Sequence, residues 1–118
     1  MQAKDELGRY GESLAARMLS DRGYEILHRN WRCRQGELDI VAATGRTLVV
    51  CEVKTRRSNR FGAPAEAVHP GKANRIRSLT TQYLAAHPGR WQDIRFDVVS
   101  VLRPAAGPAQ LQHLIGAF

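Results

Sequence analysis

Cysteine is scarce in this chain. Cys33 and Cys51 are the only two, they do not form a C-x-x-C, and two thiols cannot build a disulfide framework. They read as ordinary thiols of a reducing compartment, and zinc is not expected. Long apolar runs are also missing: no stretch approaches the ~18 residues that a membrane span needs. The stretch Met1-Gln2-Ala3-Lys4-Asp5-Glu6 lacks the apolar segment of a signal peptide. A cytoplasmic protein with no membrane partner is therefore expected. Aromatic residues make up only 7% of the chain, too few for the base-stacking platforms of single-strand or RNA-recognition modules. His28, His69, His87 and His113 are scattered without ligand spacing and receive no role.

What is present is a globular balance, 43% hydrophobic and 25% charged over 118 residues. That balance argues against disorder, collagen and coiled coil, and the length suits one domain, 1–118. Charge is lopsided, with 18 lysines and arginines against 11 acids and a net charge of +7. Between Lys54 and Arg77 stand seven basic residues and a single acid, Glu66, so this segment holds +6 of the total. Such concentration favours a phosphate-binding surface, although a solvated face that keeps the chain soluble is the competing reading.

Periodicity predicts the order of elements. Leu7, Tyr10, Gly11, Leu14, Ala15, Met18 and Leu19 share one side of a helix over 5–22 that ends at Gly23. Residues 24–32 alternate as a strand, and 37–43 with 47–54 form a hairpin closed at Thr44-Gly45. Residues 55–70 read as a loop with a short helical turn over 65–68. A second helix starts near Pro70, carries the stripe Ile76, Leu79, Tyr83 and Ala86, and stops before Pro88. Strands over 94–102 and 111–115 follow. The predicted fold class is α/β (α+β), a mixed sheet flanked by helices.

The hairpin holds acids where a core strand would not place them. Asp39 lies in Gly36-Glu37-Leu38-Asp39-Ile40-Val41, and Glu52 in Leu48-Val49-Val50-Cys51-Glu52-Val53-Lys54. Buried carboxylates are costly unless paired or bound to a metal. Closure at Thr44-Gly45 sets Asp39 opposite Val50, and a loop two residues longer sets it opposite Glu52. Both registers keep the two carboxylates on one face, within ~5–8 Å, and a one-residue slip parts them. Glu52 and Lys54 share that strand face. Two carboxylates on neighbouring strands make a hard oxygen site of the kind Mg²⁺ takes, and a lysine beside them can orient or deprotonate a water. The reaction implied is metal-assisted hydrolysis of a phosphodiester. A structural ion pair between Glu52 and Lys54 is the alternative.

These residues resemble a known group. Asp39 followed by Glu52-Val53-Lys54 looks like the signature of the restriction-endonuclease-like, PD-(D/E)xK nucleases, with Leu38 where many members have proline. The longer strings Gly36-Glu37-Leu38-Asp39-Ile40, Glu52-Val53-Lys54-Thr55-Arg56 and Phe61-Gly62-Ala63-Pro64 closely resemble the YraN-like family of small bacterial proteins. So do Gly11-Glu12, Arg29-Asn30-Trp31, Arg95-Phe96-Asp97-Val98-Val99 and Gly116-Ala117-Phe118. That family is regarded as endonucleases related to archaeal Holliday junction resolvases. The resemblance implies an αβββαβ core, Mg²⁺ or Mn²⁺ as cofactor, and DNA, branched or junction DNA included, as substrate. It implies catalytic roles for Asp39, Glu52, Lys54 and Glu12, with metal held by Asp39, Glu52, the carbonyl of Val53 and Glu12.

Glu12 lies at the edge of the apolar arc of its helix, so it either reaches the end of the sheet or pairs with an arginine at the surface. Lys72 falls on the stripe of the second helix and either snorkels from its end or points into the cleft. Arg34, Arg56, Arg57, Arg60, Lys72 and Arg75 are the expected nucleic-acid contacts. Asp97 and Glu37 read as supporting or structural. A homodimer suits a two-fold junction. From a different class, a non-catalytic nucleic-acid-binding or assembly module would retain the fold and the basic surface.

Overall fold

A computed structural model of the chain describes residues 3–57 and 68–118, with side chains described from Glu6 onward. Helix α1 (Ala3–Asp21) is followed by strands β1 (Glu25–Cys33), β2 (Gly36–Thr44) and β3 (Thr47–Arg56). Helix α2 (Pro70–Ala86) and strands β4 (Asp93–Leu102) and β5 (Gln110–Leu114) complete the order. Five strands form one sheet in sequential order, antiparallel except for β3 and β4, which run parallel. The chain thus has the expected αβββαβ order with one further strand. The 65–68 helical turn falls largely outside the described residues.

Each helix covers one face of the sheet. Ala15, Ala16 and Leu19 of α1 pack on Ile40, Ala42, Val49, Cys51, Val99 and Val101. Ile76, Leu79 and Tyr83 of α2 pack on Leu38, Val41, Leu48 and Val50 from the other side. Ala86, placed on the α2 stripe by its spacing, is exposed; the helix ends there, with His87 as its cap stacked on His28 of β1. Gly11 lets α1 cross β3 without a gap, because a Cβ at this position would overlap the Thr55 side chain. That close approach carries the next residue, Glu12, towards the end of the sheet.

The hairpin closes one residue later than expected. Thr44 pairs with Thr47 and the turn is Gly45-Arg46, where Gly45 adopts φ +56°. Two β-branched threonines fit the last ladder pair, and the left-handed position falls to glycine. A second irregularity sits in β1, where Arg29 pairs with Ile40 and Trp31 with Leu38, but Asn30 and Asp39 are left out of the pairing. Asn30 has φ +54°. The alternation of β2 slips at the same point, since Leu38 joins the α2 cluster while Ile40 joins the α1 cluster.

Candidate active site

The register of the hairpin brings the two acids together. Val41 pairs with Val50 and Ile40 with Cys51, so one further step sets Asp39 across from Glu52, the second of the two registers that the sequence allowed. The ladder stops before that step, and the Val53 N–H donates instead to Asp39 Oδ2 at 2.9 Å. Val53 thus meets Asp39 through its N–H, beside the carbonyl that the family resemblance implies as a metal ligand. Burial, then the charge of Glu52, pushes the Asp39 carboxyl up to about 8 against the opposing Val53 N–H.

Two further carboxylates approach from α1 and from the start of β2. Glu12, Glu37 and Asp39 each bring an oxygen within 4.8 Å of the others. Glu12 Oε1 is buried and has no hydrogen-bond partner. Burial raises the Glu12 carboxyl and Glu37 adds to the rise, while the Asn30 side-chain amide opposes it by hydrogen bonding. Glu37 is also held by Arg32, with Nε 2.7 Å from its Oε2. Sequence reasoning had set Glu37 aside as supporting or structural. No spacing signals its approach, because the alternation of β2 breaks between Leu38 and Ile40.

Two ammonium groups face the acids. Glu52 and Lys54 alternate with the α1-facing Cys51 and Val53, so both point to the α2 side, where Lys72 waits. Lys72 Nζ lies 2.5 Å from Glu52 Oε1, and Lys54 Nζ lies 3.9 Å from the same oxygen. Lys72 thus points into the cleft. Burial and the neighbouring Lys72 lower the Lys54 ammonium. Burial works against the charge of Lys72 too, but its contact with Glu52 prevails and raises it. About a quarter of the Lys54 side chain and a third of the Lys72 side chain stay exposed, against 9% of Glu52, so the cluster opens to solvent on its cationic side.

The remaining basic residues surround this end of the sheet less closely. Arg34 is exposed in the β1–β2 turn and Arg75 is exposed on α2. Arg56 ends β3 half-buried. Arg57 follows it and, with Arg103, Pro104 and Ala105, lines a cleft of about 350 Å³. Arg60 lies outside the described residues.

Asp97 is fully buried on the α1 side and accepts from Arg95, from His113 at 2.7 Å and from the Gly116 N–H at 2.9 Å. Tyr24 accepts a further hydrogen bond from Arg95 at 2.7 Å. Burial disfavours the Asp97 charge, but Arg95, the Gly116 N–H and His113 together hold its carboxyl below the usual range. Every lone pair of this acid is engaged internally, which makes it a structural anchor for β4 and β5. His113, given no role from the sequence, is part of that anchor.

Taken together, the cluster offers carboxylate oxygens only, one of them buried without a donor, beside two lysines. A family model described as "Uncharacterised protein family UPF0102" matches residues 11–101. The chain belongs to the UPF0102 family. This is the YraN family that the sequence strings resemble. A UPF0102 protein of Frankia casuarinae is 56% identical over 118 residues, covering 100% of both chains. One from Frankia alni is 57% identical over 118 residues, 100% of this chain and 98% of the relative. A third, from Kineococcus radiotolerans, is 54% identical over 117 residues, 98% of this chain and 96% of the relative. The span matched by the UPF0102 model contains Glu12, Asp39, Glu52, Lys54 and Lys72. No helix among the described residues is long and apolar enough to cross a membrane.

Proposed function

We propose that this UPF0102 chain is a divalent-metal-dependent endonuclease that hydrolyses DNA phosphodiester bonds, with branched or Holliday-junction DNA as its substrate class. One observation carries the reading: Asp39 and Glu52 stand side by side, with Glu12 and Glu37 beside Asp39 and the lysines of β3 and α2 on Glu52. An all-oxygen donor set suits Mg²⁺ or Mn²⁺. Burial first, and neighbouring acids second, raise the Asp39 and Glu12 carboxyls, and a bound cation would favour their charged forms. Asp39, Glu52 and Glu12 would hold the ion. When bound, it supplies Lewis-acid polarisation of a phosphoryl oxygen and activation of water.

The chain's own residues supply the rest. The Val53 N–H fixes Asp39 in place, so the carboxylate needs no reordering as substrate arrives. Lys54, whose ammonium is lowered by burial and by Lys72, would orient the attacking water as a donor or, once it has given up its own proton, take one from that water as the oxygen attacks phosphorus and the bond to the leaving oxygen breaks. Lys72 balances Glu52 and offers charge to the phosphate. Arg34, Arg56, Arg57 and Arg75, together with Arg60, would contact the backbone, giving affinity that falls steeply with salt. Paired cuts across a two-fold junction call for a homodimer, which sedimentation velocity reads directly.

The test is cleavage of linear, flapped and four-way DNAs with and without Mg²⁺ or Mn²⁺, comparing the wild type with Lys54→Ala and Asp39→Asn. Metal-dependent cutting that both variants abolish is expected. Cutting unchanged in both belongs to a contaminant and ends the assignment. Salt-sensitive binding with no cutting under any metal would make the chain a nucleic-acid-binding module instead.

A further inference from the structure

Asn30 combines two unusual features at one place. Among the described residues it is the only non-glycine with positive φ, at +54°. Asparagine tolerates this region better than most residues, yet such strain persists only where the surroundings enforce it, and it gathers at functional sites. Asn30 also stands across from Asp39 in the β1–β2 register, at the one step where that ladder omits a pair between Arg29–Ile40 and Trp31–Leu38. The β2 side chains change faces at this step. A regular strand residue here would continue the alternation and carry its side chain with it. The left-handed backbone instead sets Asn30 across from Asp39, whose carboxylate lies within 4.8 Å of the Glu12 carboxylate; there the Asn30 amide favours the charged form of Glu12, while Glu12 Oε1 stays buried without a partner.

We infer that Asn30 is a positioning residue: its left-handed backbone and its side-chain amide hold the Glu12 carboxylate against Asp39 and Glu37, leaving one Glu12 oxygen for a divalent cation. The purpose of this placement rests on the nuclease reading, whereas the contact itself does not. Groups hydrogen-bonded to metal ligands fix ligand orientation, and their loss weakens metal binding about 10–100-fold. The backbone and the amide are separable by mutation. Asn30→Gly keeps positive φ without steric strain and removes the amide; Asn30→Ala removes the amide and strains the backbone.

Two measurements decide the matter. In metal-free ¹⁵N-labelled protein, Glu12→Gln shifts the Asn30 side-chain amide resonances, because their acceptor loses its charge; resonances that do not move would overturn the contact. In calorimetric titrations with Mn²⁺, Asn30→Gly binds at least about tenfold more weakly than the wild type while remaining folded and melting within a few degrees of it. Asn30→Ala melts lower than Asn30→Gly. Mn²⁺ binding by Asn30→Gly as tight as that of the wild type refutes the positioning role, and Asn30→Ala as stable as Asn30→Gly refutes the backbone part. Should the wild type bind no Mn²⁺, the nuclease reading falls and the amide resonances still decide whether Asn30 places Glu12.

Discussion

In metal-free solution the folded chain loses stability as pH rises from about 4 to 8, and Asp39→Asn removes most of that loss. Burial and the Glu52 charge push the Asp39 carboxyl up to about 8 in the folded state, while in the unfolded chain it ionises near its ordinary value of about 3.9. Between those values the folded state keeps a proton that the unfolded state has released. Stability is therefore fully present below the lower value and falls by up to ~1.4 kcal/mol per pH unit until the upper one is passed. From pH 5 to 7 this one carboxyl costs up to about 2.7 kcal/mol, roughly 10 °C in Tm for a domain of this size. Glu12, raised as well, acts in the same direction. Asparagine keeps the shape, still accepts from the Val53 N–H through its amide oxygen, and has no proton to release. Circular-dichroism melts in EDTA at pH 5, 6 and 7 read the difference: the wild type falls by roughly 10 °C more than Asp39→Asn. Added Mg²⁺ restores the wild type at pH 7 and leaves the variant unchanged. Parallel curves for the two proteins would refute the reasoning.

Other perturbations test other parts of the account. Lys72→Met removes the ammonium seated on Glu52; because that ammonium is about a third exposed, the cost is about 1–2 kcal/mol, read by urea denaturation at pH 7. An unchanged midpoint would mean that the pair contributes nothing. Asp97→Ala strands Arg95 and His113 around a buried gap and costs about 3–5 kcal/mol in the same assay, with Mn²⁺ affinity intact wherever the variant is folded. A loss of affinity in folded Asp97→Ala would tie that network to the site. The Asp97 carboxyl is lowered, so its contribution is present at neutral pH and is lost as pH falls through the lowered value. Gly11→Ala forces α1 off Thr55 and costs about 1–3 kcal/mol; the added change Thr55→Gly recovers part of it, and no recovery would place the strain elsewhere.

The helices were legible because their signals are local: the α1 stripe ends at Gly23, and Pro70 starts α2. Asp39, Glu52 and Lys54 were legible for a similar reason, since strand parity fixes which residues share a face whichever of two registers the turn selects. Details that depend on contacts distant in sequence were not. The direction of Lys72 depends on where α2 lies over β3, and no spacing reports that. Glu37 enters the carboxylate group beside a break in strand alternation that Asn30 marks, and a period of two cannot express such a break. His113 meets Asp97 because β5 pairs with β4, setting Val99 beside His113, a long-range fact hidden behind the Pro104–Pro108 linker. Turn closure moved by one residue because the cross-strand pair Thr44–Thr47 outweighed the apparent Thr44-Gly45 corner.

Anomalous diffraction from crystals grown with Mn²⁺ tests the central claim most directly. The account predicts a manganese peak bounded by the carboxylates of Asp39, Glu52 and Glu12 that disappears in Asp39→Asn crystals. Ordered, ion-free carboxylates at saturating Mn²⁺, with Lys72 still on Glu52, would contradict it.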